Sequence, residues 1–198
     1  MHPNSQDGKQ TTSKMWKKLN RLNQQQYHHR VIIGPARYLH VESRLASLGK
    51  ALPPPGAPKG SYVTCQWSDD SLLYLAGHLP MNDKGELIKG KVGKDLTTEE
   101  ANKAAELVCL NLLATLRKEL GDLDKVTQIV KVVGFVNCVD GFDQQPTVVN
   151  GCSDLLGKVF AGTVGQHARS AVGTNALPLN VAVEIEMIVR ASRKESKF

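Results

Sequence analysis

A chain of 198 residues, 41% apolar and 22% charged, has the make-up of one soluble globular domain with a modest appendage. No run of about 18 apolar residues occurs, which excludes a membrane-spanning helix. The net charge of +6 has the sign of a nucleic-acid binder, but residues 1–40 hold all of it, seven Lys and Arg against Asp7 alone, and residues 41–198 balance to zero, giving no compositional sign of a surface that reads phosphate backbones.

Residues 1–40 are polar, Gln-rich and poorly periodic, and they lack the apolar content to build a core. The segment is basic and acid-poor, as organelle transit peptides are. From Met15 it offers Trp16, Leu19 and Leu22 at helical spacing beside Lys17, Lys18 and Arg21. A mitochondrial presequence and a plain extension both fit, so the chain is expected in mitochondria or cytoplasm. A tail that touches RNA or membrane is the third reading.

The folded domain is expected over residues 41–198. "VESRLASLGK" reads as a short helix, with Leu45 and Leu48 on one face and Gly49 as its stop. "LPPPGAPKG" is a stiff connector. Tyr62–Trp67 and Leu72–Leu79 read as strands of a hairpin turned by "SDDS". Residues 97–120 read as a long helix: Thr97 and Glu100 form a capping box, Ala101, Ala104, Ala105, Val108, Leu112 and Leu116 recur on one face, and Gly121 stops it. Leu107, Leu110 and Leu113 widen that face, so the helix should be largely buried across a sheet. Val126–Val139 is rich in β-branched residues and reads as a central strand, with Val130, Val132 and Val136 on one side and Ile129, Val133 and Phe135 on the other. A second helix is expected over Pro146–Phe160, with Pro146 in its first turn. Gly151 inside it marks either a close backbone approach or a break. His167–Val172 and Val181–Val189 close the chain as strands; Val183, Ile185, Met187 and Val189 share a face, and Glu184, Glu186, Ile188 and Arg190 take the other.

The order β-β-α-β-α-β-β predicts an α+β two-layer domain, a mixed sheet with two main helices on one face. Both faces of the central strand are apolar and the helices cover only one, so the other should be buried against a further copy of the chain.

The chain carries no Gly-rich phosphate loop, no His-Glu-x-x-His and no Gly-x-Ser-x-Gly. Cys65, Cys109, Cys138 and Cys152 are scattered, without metal-ligand spacing, and read as buried thiols in a reducing compartment. The six histidines form no metal pattern. Ser170 has no recognisable base beside it. Arg169, in "HARSAVG", stands out as a permanent cation with no acid in its own stretch. It is either one half of an ion pair with Glu184 or Glu186 across neighbouring strands, or a clamp for an anion. Glu184 is either a solvated carboxylate or a working one.

"YVTCQWSDDSLLYLAGHLP", "VVGFVNCVDGFDQQPTVVNGCSDLL", "HARSAVGTNALP" and "VAVEIE" together resemble the RidA (YjgF) family of enamine/imine deaminases, in order and spacing, over residues 42–190. The leading helix and the second-helix sequence are similar to a longer-chain branch of that family. The resemblance implies a chorismate-mutase-like fold and a homotrimer whose sheets form a central barrel, with sites in the clefts between subunits. It implies hydrolysis of small 2-enamino or 2-imino acids, such as 2-aminoacrylate, to 2-keto acids and ammonia. No metal or organic cofactor is then required. It places the carboxylate-binding arginine on Arg169 and the acid that positions water on Glu184, with Tyr62, Gly77 and Asn150 lining the cleft. Ala171 stands where the compact branch often has Cys, His78 where it often has Gln, and Val172-Gly173 where a Val-Glu run is common. A non-catalytic protein that binds small carboxylates is the alternative, and an endoribonuclease or translation inhibitor a further one.

Overall fold

The structure, a computed structural model, describes residues 40–58 and 60–192; the readings of the N-terminal extension lie outside the described residues. The elements are α1 (Val41–Ser47), β1 (Cys65–Trp67), β2 (Leu72–His78), α2 (Thr98–Leu120), β3 (Val126–Asn137), α3 (Gln145–Val159), β4 (Ala168–Thr174) and β5 (Val183–Ala191). They form one mixed sheet in the order β1-β2-β5-β3-β4, with α2 and α3 packed on one face. Only β3 and β4 run parallel, as a strand–helix–strand crossover through α3 demands. The two-layer α+β reading stands.

Local chemistry explains most element ends. Asp69 Oδ1 accepts from the backbone N–H of Ser71 and Leu72, which turns the β1–β2 hairpin. Thr97 and Glu100 form the full capping box, and Gly121 ends α2 in the left-handed region at φ 76°. α2 is buried through its central turns, with Val108, Leu112, Leu113 and Leu116 closed off from solvent. Its burial is a tertiary property, because α2 packs against the sheet on one side and alongside α3 on another.

Four expectations are corrected. α1 buries Val41 and Leu45, whereas Leu48 is 42% exposed, because the helix ends at Ser47 and Gly49 turns the chain. The first hairpin strand begins at Cys65, not Tyr62; the Tyr62 N–H bonds back to Gly60 and holds that stretch in a turn. In β3, Thr127 and Val130 are extra residues against β5, since Val126 pairs with Ala191 and Gln128 with Arg190, then Ile129 with Val189 and Lys131 with Ile188. The bulge at Val130 exchanges two side chains between faces: Ile129 is in the core and Val130 faces out. Cys65 also departs from the expected burial, being half-exposed, while Cys109, Cys138 and Cys152 are buried; all four thiols are free.

α3 is seated by two glycines. At Gly134 on β3 a Cβ would lie 2.5 Å from Val149 Cγ2, and at Gly151 a Cβ would overlap the Asn102 carbonyl of α2 and lie 3.0 Å from Glu106 N. Gly151 therefore marks a close approach of two helix backbones and no break. Among the described residues no element covers the sheet face away from the helices: Tyr74, Val130 and Val172 are exposed there, with Val133, Phe135 and Ile188 partly so.

Candidate functional site

Arg169 and Glu184 do not meet. β3 separates their strands, which removes the expected ion pair across neighbouring strands. They also belong to opposite faces. Arg169 pairs in register with the buried Val132 and reaches α3 on the helix side, whereas Glu184 sits opposite Phe135 in the row facing away from the helices.

Around Arg169 a chain of polar groups fixes the guanidinium. Nη1 donates to Asn150 Oδ1 at 2.7 Å and to Ser153 Oγ at 3.1 Å. The Gly165 carbonyl can only accept, so His167 Nδ1 donates to it at 2.8 Å, and His167 Nε2 then accepts from the Ser153 hydroxyl at 3.0 Å. Sequence reasoning selected Arg169 and Asn150 but missed Ser153 and His167, which nothing in their own stretches marks. Among the described residues no carboxylate pairs with Arg169, and the rest of its planar donor fork is open to an anion.

The second group is built around β2 and β5. Tyr62, Gly77 and Glu184 line one cavity of about 510 Å3, together with Ala57, Leu79, Met81, Leu87, Asn111 and Leu179. A bulge in β2 shapes it: Leu75 pairs with Met187 and His78 with Ile185, so an extra residue falls at Ala76–Gly77. His78, buried under it, stitches the bulge. Its Nδ1 donates to the Ala76 carbonyl at 2.7 Å and its Nε2 accepts from Thr115 Oγ1 at 2.7 Å, and burial pushes its pKa down, keeping it neutral. Glu184 lies directly over Gly77, where a Cβ would overlap Oε1 and stand 2.8 Å from Cδ. Burial first, and the Glu186 carboxylate second, raise the Glu184 pKa, so its carboxylate is more basic than an ordinary one. Leu179, at φ 58°, is a bulky side chain held in the left-handed region at the cavity's lip.

Gly77→Ala is therefore expected to displace Glu184 and spare the fold, because the colliding atoms end a flexible side chain. The unfolding midpoint should move by no more than about 2 °C. The Glu184 carboxyl, followed by NMR titration, should drop back toward the ordinary glutamate range as it leaves its half-buried position.

Five expected site residues thus fall into two groups: Arg169 with Asn150, and Tyr62, Gly77 and Glu184 around a cavity. Among the described residues no three His, Cys, Asp or Glu side chains converge as a metal site would need, and no helix is long and apolar enough to cross a membrane.

A family model described as "YjgF/chorismate mutase-like, putative endoribonuclease" matches residues 42–190. Protein TCP17 of Trypanosoma cruzi is 41% identical over 149 residues, 75% of this chain and 92% of that protein. The crystal structure of Atu1372 from Agrobacterium tumefaciens, a protein of unknown function, shares 42% identity with a TM-score of 0.69, over 76% of this chain and 93% of that one. A Shewanella oneidensis protein described as a candidate endoribonuclease shares 30% identity with a TM-score of 0.73, over 76% of this chain and 99% of that one.

Proposed function

The chain belongs to the YjgF/chorismate mutase-like family, and from that premise we propose that it hydrolyses small 2-enamino and 2-imino acids to 2-keto acids and ammonia, in a site shared between copies of the chain. The observation that carries this reading is the separation of Arg169 from Glu184 on opposite faces of one sheet. A substrate that uses both must lie between two copies. The uncovered apolar face supplies the surface on which copies associate, and a homotrimer is the assembly the family resemblance implies.

The substrate's carboxylate lies on the open donors of Arg169 in one copy, held in plane by Asn150 and Ser153. Its imine carbon then faces the Glu184 of the neighbouring copy. Glu184 takes a proton from water as the oxygen bonds to that carbon and passes it to the imine nitrogen. The hydroxyl proton of the resulting carbinolamine passes to the amine nitrogen as the C–N bond breaks; ammonia leaves and the keto acid remains. Tyr62 and Gly77 border the same cavity and hold the substrate against Glu184. The imine is electrophilic as it arrives, so the work is placement of water and substrate. The endoribonuclease reading has weaker support, since residues 41–198 carry no net charge.

The test is imine clearance. The full chain, added to a serine dehydratase reaction, should lower the imine that semicarbazide traps. Glu184 must be ionised to act, so kcat/KM should fall as pH drops through its raised pKa, with a midpoint above the ordinary glutamate value of about 4.3. Glu186→Gln removes a neighbouring negative charge and should move that midpoint to lower pH. Clearance no faster than the uncatalysed rate at every pH sinks the proposal and leaves a carboxylate-binding protein.

A further inference from the structure

We propose that the cavity selects imino acids with a bulky, mostly apolar side chain that carries a hydrogen-bond donor, and that Asn111 reads the donor; the inference rests on the deaminase reading and names its substrate class. In a single copy the cavity is wide and walled mainly by apolar side chains. At about 510 Å3 it lies in the range of small-molecule pockets. Leu79, Met81, Leu87 and Leu179 wall it with apolar surface, which gains nothing from a small polar guest and attracts a large apolar one.

Asn111 supplies the second observation. It lines the cavity and is 4% exposed. Its amide nitrogen is fully committed, donating to the carbonyls of Met81 at 2.9 Å, Leu107 at 3.0 Å and Leu79 at 3.4 Å. Three carbonyls can only accept, so the orientation of the amide is fixed and Oδ1 is the atom left over. Among the described residues no donor pairs with Oδ1. Oδ1 is not sealed in the core, so it stands as an accepting atom on the cavity wall to which a guest can donate. A phenol or an indole joins a broad apolar body to one such donor.

A place in a reaction sequence follows. An imino acid that keeps an aromatic side chain does not arise by β-elimination from serine or threonine. It arises when an amino acid loses a hydride from Cα and a proton from nitrogen, forming C=N and passing two electrons to a flavin or nicotinamide acceptor. The supplying reaction is therefore of the amino-acid oxidase or dehydrogenase class.

Stable 2-keto acids test the pocket without turnover. Calorimetric titration of the full chain with pyruvate, phenylpyruvate and 4-hydroxyphenylpyruvate should show two steps of tightening. Phenylpyruvate should bind at least about tenfold tighter than pyruvate. The hydroxyl should add about tenfold more. Leu87→Trp fills the chamber and should collapse the first ratio toward one. Asn111→Leu should erase the second; if that chain fails to fold, the wild-type comparison of the two aromatic acids still decides the matter. Equal affinities for pyruvate and phenylpyruvate, no gain from the hydroxyl, or no binding at all overturns the assignment. The graded affinities without imine clearance would keep the pocket assignment and remove the reaction, and clearance with flat affinities would do the reverse.

Discussion

Arg169→Ala and Glu184→Gln chains, each at least about 100-fold slower than wild type alone, should recover about a quarter of wild-type clearance when co-expressed in equal amounts and purified as mixed assemblies. In the proposed shared cleft each site takes its arginine from one copy and its glutamate from the next. In a random mixture half of the arginine donors are intact, as are half of the glutamate donors. One junction in four therefore joins an intact Arg169 to an intact Glu184, whatever the number of copies around the axis. Separately purified variants, mixed without subunit exchange, should show no recovery. The measurement is semicarbazide-trapped imine per assembly. Co-assembled variants that stay inactive would rule out the shared site, since a site inside one copy has no means of complementation.

The largest effect on stability should come from Gly151→Ala, expected to cost about 3 kcal/mol. The added methyl would overlap the Asn102 carbonyl oxygen and lie 2.9 Å from its carbon and 3.0 Å from Glu106 N. These are backbone atoms of a buried helix and cannot swing aside, so α2 and α3 must separate along the contact that also sets Cys109 against Cys152. Gly157 in the same helix is the control. It has nothing within 4 Å of its Cβ position, and Gly157→Ala should stabilise by about 0.5–1 kcal/mol through helix propensity alone. Urea unfolding of the two variants compares them directly. Equal and small changes would show that the helices separate freely.

How far the sequence could be read depended on the range of the interaction involved. The ends of α2 rest on groups within a few residues of each other, Thr97 with Glu100 and Arg117 with Gly121, and they were legible. The faces of β3 were not, because the bulges at Thr127 and Val130 exist only against β5, and alternation has no mark for an extra residue. Leu48 matched the helical spacing of Leu45, yet the turn at Gly49 came one residue too early to bury it. In the candidate site, charge and resemblance pointed to Arg169, Glu184, Tyr62, Gly77 and Asn150, but sheet order decides which of these share a cavity, and order is set by long-range pairing. Ser153, His167 and Asn111 escaped notice because polar residues on helices and turns look alike in sequence. Only their partners distinguish them.

The hydrogen bonds from Arg169 to Asn150 and Ser153 have an entropic consequence. Ordering a long, rotamer-rich side chain at a binding event costs about 0.5–1.5 kcal/mol. Here the ordering happens when the chain folds: Asn150 stands on α3 between Val149, seated on Gly134, and Gly151, seated against Asn102. On the proposed reading, an anion at Arg169 meets a guanidinium whose freedom has already been surrendered. Its affinity can then report the quality of the contact itself, with little deducted for arranging the host.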